Sequence, residues 1–126
     1  MTAYLDTVTV LRLASRELGK ITKEAQQAIE RYDLLISPMV LLELQYAFEL
    51  KRVKLPALVV FSNLQRTIDL QVCKLPFDKV AQVAWAESWT RDSFDRLIVS
   101  QARCAGNAYL ITPDENIGRN YPQTIW

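Results

Sequence analysis

Short β-prone apolar runs alternate along this chain with longer stretches whose apolar residues recur at helical spacing. That alternation constrains the fold more than any other feature. TAYLD (2–6), LLIS (34–37), LQVCKL (70–75) and YLIT (109–112) read as strands. After the first, TVTVLRLASRELG places Val10, Leu13 and Ala14 on one side of a helix with Gly19 as its stop, and Thr22 caps a second helix that carries Ala25 and Ile29 to about Arg31. Ser37-Pro38 is a strong helix start: serine supplies an N-cap oxygen, and proline at the first helical position lacks an N–H that would be unpaired anyway. That helix should run to about Lys51, where Lys51, Arg52 and Lys54 form a basic knot suited to the helix dipole. Further helices fit 56–68, PFDKVAQVAWAESW (76–89) opened by Pro76, and 92 to about Ala105, where Gly106-Asn107 supplies a left-handed stop. PDEN (113–116) reads as a turn and YPQTIW as a tail. Strands alternating with helices need crossover connections, so an α/β fold is expected, with a mainly parallel central sheet covered by helices on both faces. The 126 residues, half of them hydrophobic, suit one domain spanning 1–126.

Charge and residue types narrow the chemistry. Fifteen Lys and Arg against fourteen Asp and Glu leave a net charge of +1, so no global field draws the chain to nucleic acid or a membrane, and a polyanion must be met locally. No apolar stretch is long enough to span a bilayer, and Asp6 interrupts the N-terminal apolar segment, so a soluble, cytoplasmic protein is expected. Cys73 and Cys104 sit in apolar stretches without C-x-x-C spacing and read as buried reduced thiols. The chain has no histidine, which removes imidazole as base, triad member and metal ligand. Carboxylates with a hard divalent cation are then the usual hydrolytic combination.

Several acids stand in unusual places. Parallel sheets collect functional residues at the carboxyl ends of their strands. Asp6 closes the first strand and Asp114 lies just beyond the last clear one, although either alone also suits a helix cap or turn. Glu43, in PMVLLELQYAFEL, has Met39, Val40, Tyr46 and Ala47 as its helical neighbours, so its carboxylate must be protonated, paired or bound to a cation. In TRDSFDRLIVSQA, Asp92 and Asp95 occupy N-cap and N3 positions. Capping suffices for Asp92. Asp95 heads the stripe Ile98, Val99, Ala102 that should face the sheet, which capping does not explain. Arg96 is placed to reach a phosphate, neutralise a carboxylate or serve the surface.

These residues resemble the motifs of the PIN-domain ribonucleases, and among them the VapC-type toxins of toxin–antitoxin pairs. YLDT is similar to the family's opening strand with its first acid at Asp6, SPMVLLELQYAFE places the second at Glu43, RDSFDRLIVSQA the third at Asp95, and LITPDENI the fourth at Asp114. Val8 departs from the His or Asn common after Asp-Thr, and Ser93 from the frequent proline. The resemblance implies a PIN-like three-layer fold and a metal-dependent endoribonuclease. Asp6 and Asp95 would be direct Mg²⁺ ligands, with Mn²⁺ as a substitute. Asp114 would bind directly or through water, and Glu43 would bind likewise or orient the attacking water. Asp92, Thr7, Thr112 and Arg96 are auxiliary candidates. It further implies RNA as substrate, a VapB-like antitoxin as partner and a homodimer. Two other readings remain at this point: a non-catalytic PIN-like interaction module, and an aspartate-based phosphotransfer domain, against which stands the absence of D-x-D after the first strand.

Overall fold

The structure is a computed structural model describing residues 1–126. Five strands, β1 (Thr2–Leu5), β2 (Asp33–Ile36), β3 (Gln71–Val72), β4 (Tyr109–Ile111) and β5 (Thr124–Ile125), form one sheet in the order β3-β2-β1-β4-β5, with every pairing parallel. The helices are α1 (Thr7–Ala14), α2 (Lys23–Arg31), α3 (Pro38–Glu49), α4 (Ala57–Ile68), α5 (Phe77–Ala84), α6 (Ser93–Cys104) and α7 (Glu115–Asn120). Successive strand residues point to opposite faces, yet Ala3, Tyr4 and Leu5 are all buried, as are Leu110 and Ile111. Both faces of the central strands are therefore covered, and the fold is the α/β type expected.

Strand order positions the site. From β1 the chain steps outward to β2 and β3, then returns to place β4 and β5 on the other side of β1. The direction of winding thus reverses between β1 and β4, whose ends align with Leu5 opposite Ile111. Crossovers that part there leave a crevice outside the carboxyl ends of these two strands, and Asp6 and Thr112 are the next residues along each.

Local chemistry explains most helix starts. Thr22 accepts from the Ala25 N–H, Ser37 from Met39, Asp92 from Asp95 and Asp114 from Ile117. Gly106 and Asn107, at φ of 73° and 57°, end α6 in the left-handed region.

Five expectations need correction. First, α1 stops at Ala14 because Ser15 caps it and Arg16 turns left-handed at φ 56°; Gly19 lies in a short 3₁₀ turn instead. Second, two helices end early: α3 at Glu49, with Lys51 just beyond it at φ 61°, and α5 at Ala84 rather than Trp89, capped by Trp85. Third, β3 keeps two residues of the six expected; the Cys73 N–H still bonds the Ile36 carbonyl, after which the chain leaves the sheet toward Pro76. Fourth, PDEN is a helix start rather than a simple turn, and the tail YPQTIW contributes β5, held in register by Leu110 opposite Thr124. Fifth, Cys73 is buried as expected but Cys104 is only half-buried.

Candidate active site

Four elements deliver the acids. Asp6 follows β1 and caps α1, Glu43 lies one turn and a half into α3, Asp95 stands in the first turn of α6, and Asp114 follows β4 and caps α7. Asp6 is buried at 4% exposure, whereas Glu43, Asp95 and Asp114 are partly exposed, so the group opens to solvent from a buried floor.

Hydroxyls hold the floor. Thr112 Oγ1 donates to Asp6 Oδ2 and accepts the Asp114 N–H at 3.1 Å, so one side chain ties the first acid to the fourth. Asp6 Oδ1 accepts the Thr9 N–H at 2.9 Å and the Thr9 hydroxyl at 2.7 Å. Thr7 Oγ1 donates to Glu43 Oε1, joining α1 to α3. Thr7 and Thr112 therefore orient acids. Arg96 does not reach the site: its Nε donates to the Thr90 carbonyl at 2.8 Å and braces the loop entering α6. Asp92 is exposed and caps Asp95 at 3.0 Å. Thr9 was missed in the sequence. Its signal is the Asp-x-x-Thr spacing after a strand, where the third helical residue faces back to the cap.

The acids sense one another. Burial, and then the charges of Asp92, Asp114, Glu43 and Asp6, push the Asp95 carboxyl up to about 7. Burial also raises Glu43, opposed by the Thr7 hydrogen bond and reinforced by Asp92 and Asp6. For Asp6, burial raises the carboxyl against the three donors from Thr112 and Thr9, and Asp114 adds to the rise. None of these acids has a Lys or Arg partner, since the chain's ion pairs are Met1–Asp33, Lys20–Glu17 and Arg103–Glu87. The ion pair that would have explained Glu43 structurally is absent.

Carboxylates that share a crevice without a counter-charge suit a hard divalent cation. No three Asp, Glu or Cys side chains are gathered closely enough to hold an ion by themselves, so an ion here would depend on one or two carboxylates and on water. Mg²⁺ is the hard cation that usually keeps several waters and takes one or two carboxylates. A cavity of about 690 Å³ lies elsewhere, between α2 and β5, lined by Gln27, Arg31, Tyr32 and Tyr109 among others and by none of the four acids.

A family model described as PIN domain matches residues 3–121. The chain belongs to the PIN domain family. Its fold is similar to that of a chain in the VapBC2 structure from Rickettsia felis bound to a DNA fragment from their promoter. The TM-score is 0.61 at 20% identity, covering 98% of this chain and 96% of that one. A chain of VapBC-1 from nontypeable Haemophilus influenzae gives a TM-score of 0.59 at 16% identity, again covering 98% and 96%. At these identities the likeness is one of fold. The search of curated proteins found no match. In this PIN domain no helix is long and apolar enough to cross a membrane.

Proposed function

We propose that this PIN domain is a metal-dependent endoribonuclease that hydrolyses phosphodiester bonds in RNA, and that it is the toxin of a VapBC-type toxin–antitoxin pair. What supports the reading is that Asp6, Glu43, Asp95 and Asp114 come from four elements, that Asp95 feels the charges of the other three, and that none of them has an ion-pair partner. Asp6 and Asp95 are the residues to hold Mg²⁺ or Mn²⁺ directly. Asp114 binds at the rim, directly or through water. Such an ion, when bound, polarises the phosphodiester and lowers the pKa of water.

The remaining work belongs to the chain's own side chains. Thr112 and Thr9 fix both oxygens of Asp6, so the carboxylate meets the ligand without reorganising. Glu43, steadied by Thr7 and raised by burial, is suited to accept a proton from the attacking water. An antitoxin of VapB type, a homodimeric state and a cytoplasmic setting follow from the toxin reading and stand or fall with it.

The non-catalytic module has one observation in its favour: Asp6, Asp92 and Asp114 each cap a helix and so have structural work regardless of chemistry. Asparagine keeps a capping oxygen but removes the charge. Single-stranded and hairpin RNAs incubated with the purified protein in Mg²⁺ or Mn²⁺ should be cut at internal positions, and chelator or Asp6→Asn should stop the cutting with the fold intact. A correctly folded wild type that cuts no RNA with either metal supports the module.

A further inference from the structure

The acids sit at one end of a surface stripe. On α3, Glu43, Tyr46 and Leu50 follow at intervals of three and four residues and share a face. Tyr46 and Leu50 are exposed at 51% and 44%, although Val40 and Leu44, about a quarter turn round the helix, are buried in the core. The Tyr46 ring stands against Phe94, centroids 6.3 Å apart and tilted by 34°, and Phe94 immediately precedes Asp95 on α6. An aromatic pair therefore bridges the two helices that carry the second and third acids. Beyond Leu50 the chain turns left-handed at Lys51 and exposes Lys51, Arg52 and Lys54, none of them in an ion pair. Eight residues separate Glu43 from Lys51, roughly 12 Å at the helical rise.

Acid crevice, aromatic platform and unpaired cations thus follow one another over a few nucleotides' length. Proteins that hold single-stranded nucleic acid combine these last two parts: bases stack on aromatic faces and cations track the backbone. A near-neutral chain needs such a local track. An exposed tyrosine whose hydroxyl has no partner serves no purpose in the core.

We infer that Tyr46, backed by Phe94, is a stacking platform for a base of single-stranded RNA beside the cleaved bond, and that Lys51, Arg52 and Lys54 take the phosphates beyond it. This rests on the ribonuclease reading and adds where the strand lies. Rigid support from Phe94 fixes the ring without a hydrogen bond, so the platform accepts any base. The cations make binding sensitive to salt.

Binding is separable from cutting if it is measured in the Asp95→Asn protein by fluorescence anisotropy of a labelled single-stranded RNA. Adding Tyr46→Ala should weaken affinity about tenfold, whereas Tyr46→Phe should stay near the parent. Replacing Lys51, Arg52 and Lys54 by Ala should weaken binding and flatten its salt dependence, and Leu58→Ala on the exposed face of α4 should do neither. Circular dichroism on each variant separates a lost contact from a lost fold. Unchanged affinity in Tyr46→Ala, or an equal loss in Tyr46→Phe, overturns the platform while leaving the ribonuclease reading intact if wild type still cuts. The platform is also overturned if Tyr46→Ala keeps its RNA affinity but converts an oligomer to a monomer in light scattering, because the face is then a protein contact.

Discussion

Two carboxylates in this molecule are equally buried, and they are supported in opposite ways. Asp6 and Glu87 are each 4% exposed. Glu87 accepts from Arg103 Nε and from the Trp89 indole N–H, and the guanidinium reaches on to the Asn120 carbonyl at 3.0 Å and lies 5.0 Å from the centroid of the Tyr121 ring. Asp6 receives three donors from Thr9 and Thr112 but no cation, feels the charge of Asp114, and in turn acts on Glu43 and Asp95. An acid that serves only the fold brings its counter-charge along the chain. The crevice acids leave that place to something the chain does not supply.

The largest expected effect lies in the crevice. Asp95→Asn should lower metal-dependent RNA cleavage by roughly 10³-fold, on the order of 4 kcal/mol of transition-state stabilisation, with thermal stability unchanged or higher because a repelling charge is gone. Loss of fold instead would place Asp95 with Glu87 as a structural acid. At the other region, Arg103→Met should cost about 3 kcal/mol in urea unfolding by stranding the Glu87 charge, and adding Glu87→Gln should recover much of it. Additive losses in the double variant would show that the pair is not coupled.

The regions should also differ with pH. Asp95 is raised to about 7 from an unfolded value of about 3.9, so between these the folded chain holds a proton that the unfolded chain has released. Stability in chelator should therefore fall as pH climbs through this window, with Glu43 and Asp6 acting in the same direction. Melting curves in Asp95→Asn should show a weaker fall, and a stability that rises through the window would mean the acids are not desolvated together. The smallest effect belongs to Asp92. Asp92→Asn keeps the oxygen that receives the Asp95 N–H and should change stability by less than about 0.5 kcal/mol, while Asp92→Ala should cost about 1 kcal/mol. Cleavage reduced in Asp92→Asn as far as in Asp95→Asn would remove the distinction between cap and ligand.

Much of this was legible because it is local. The caps at Thr22, Ser37 and Asp92 are hydrogen bonds between residues two or three apart, and a sequence displays such spacing directly. Strand ends were legible for Asp6 because the apolar run before it is buried on both faces and stops abruptly. What failed depends on distant partners. Two residues of β5 have no periodicity of their own and become a strand only beside β4, and β3 shortens because its neighbour β2 ends. Asp95 and Glu43 stood out as acids on apolar stripes, but that no arginine reached them had to come from the assembled chain. Arg96, beside Asp95 in sequence, turns to the Thr90 carbonyl instead. The Thr9 hydroxyl shares its one proton between Asp6 and the Ile111 carbonyl, the second 102 positions away.

The missing counter-charge is tested most directly by titrating Mn²⁺ into the purified protein near pH 7, with calorimetry in buffers of different ionisation enthalpy to count protons. Wild type should bind Mn²⁺ and release protons as Asp95 and its neighbours ionise, and Asp6→Asn and Asp95→Asn should each bind far more weakly. Absence of binding in the folded wild type, or equal binding in all three proteins, would contradict a crevice built to take a cation.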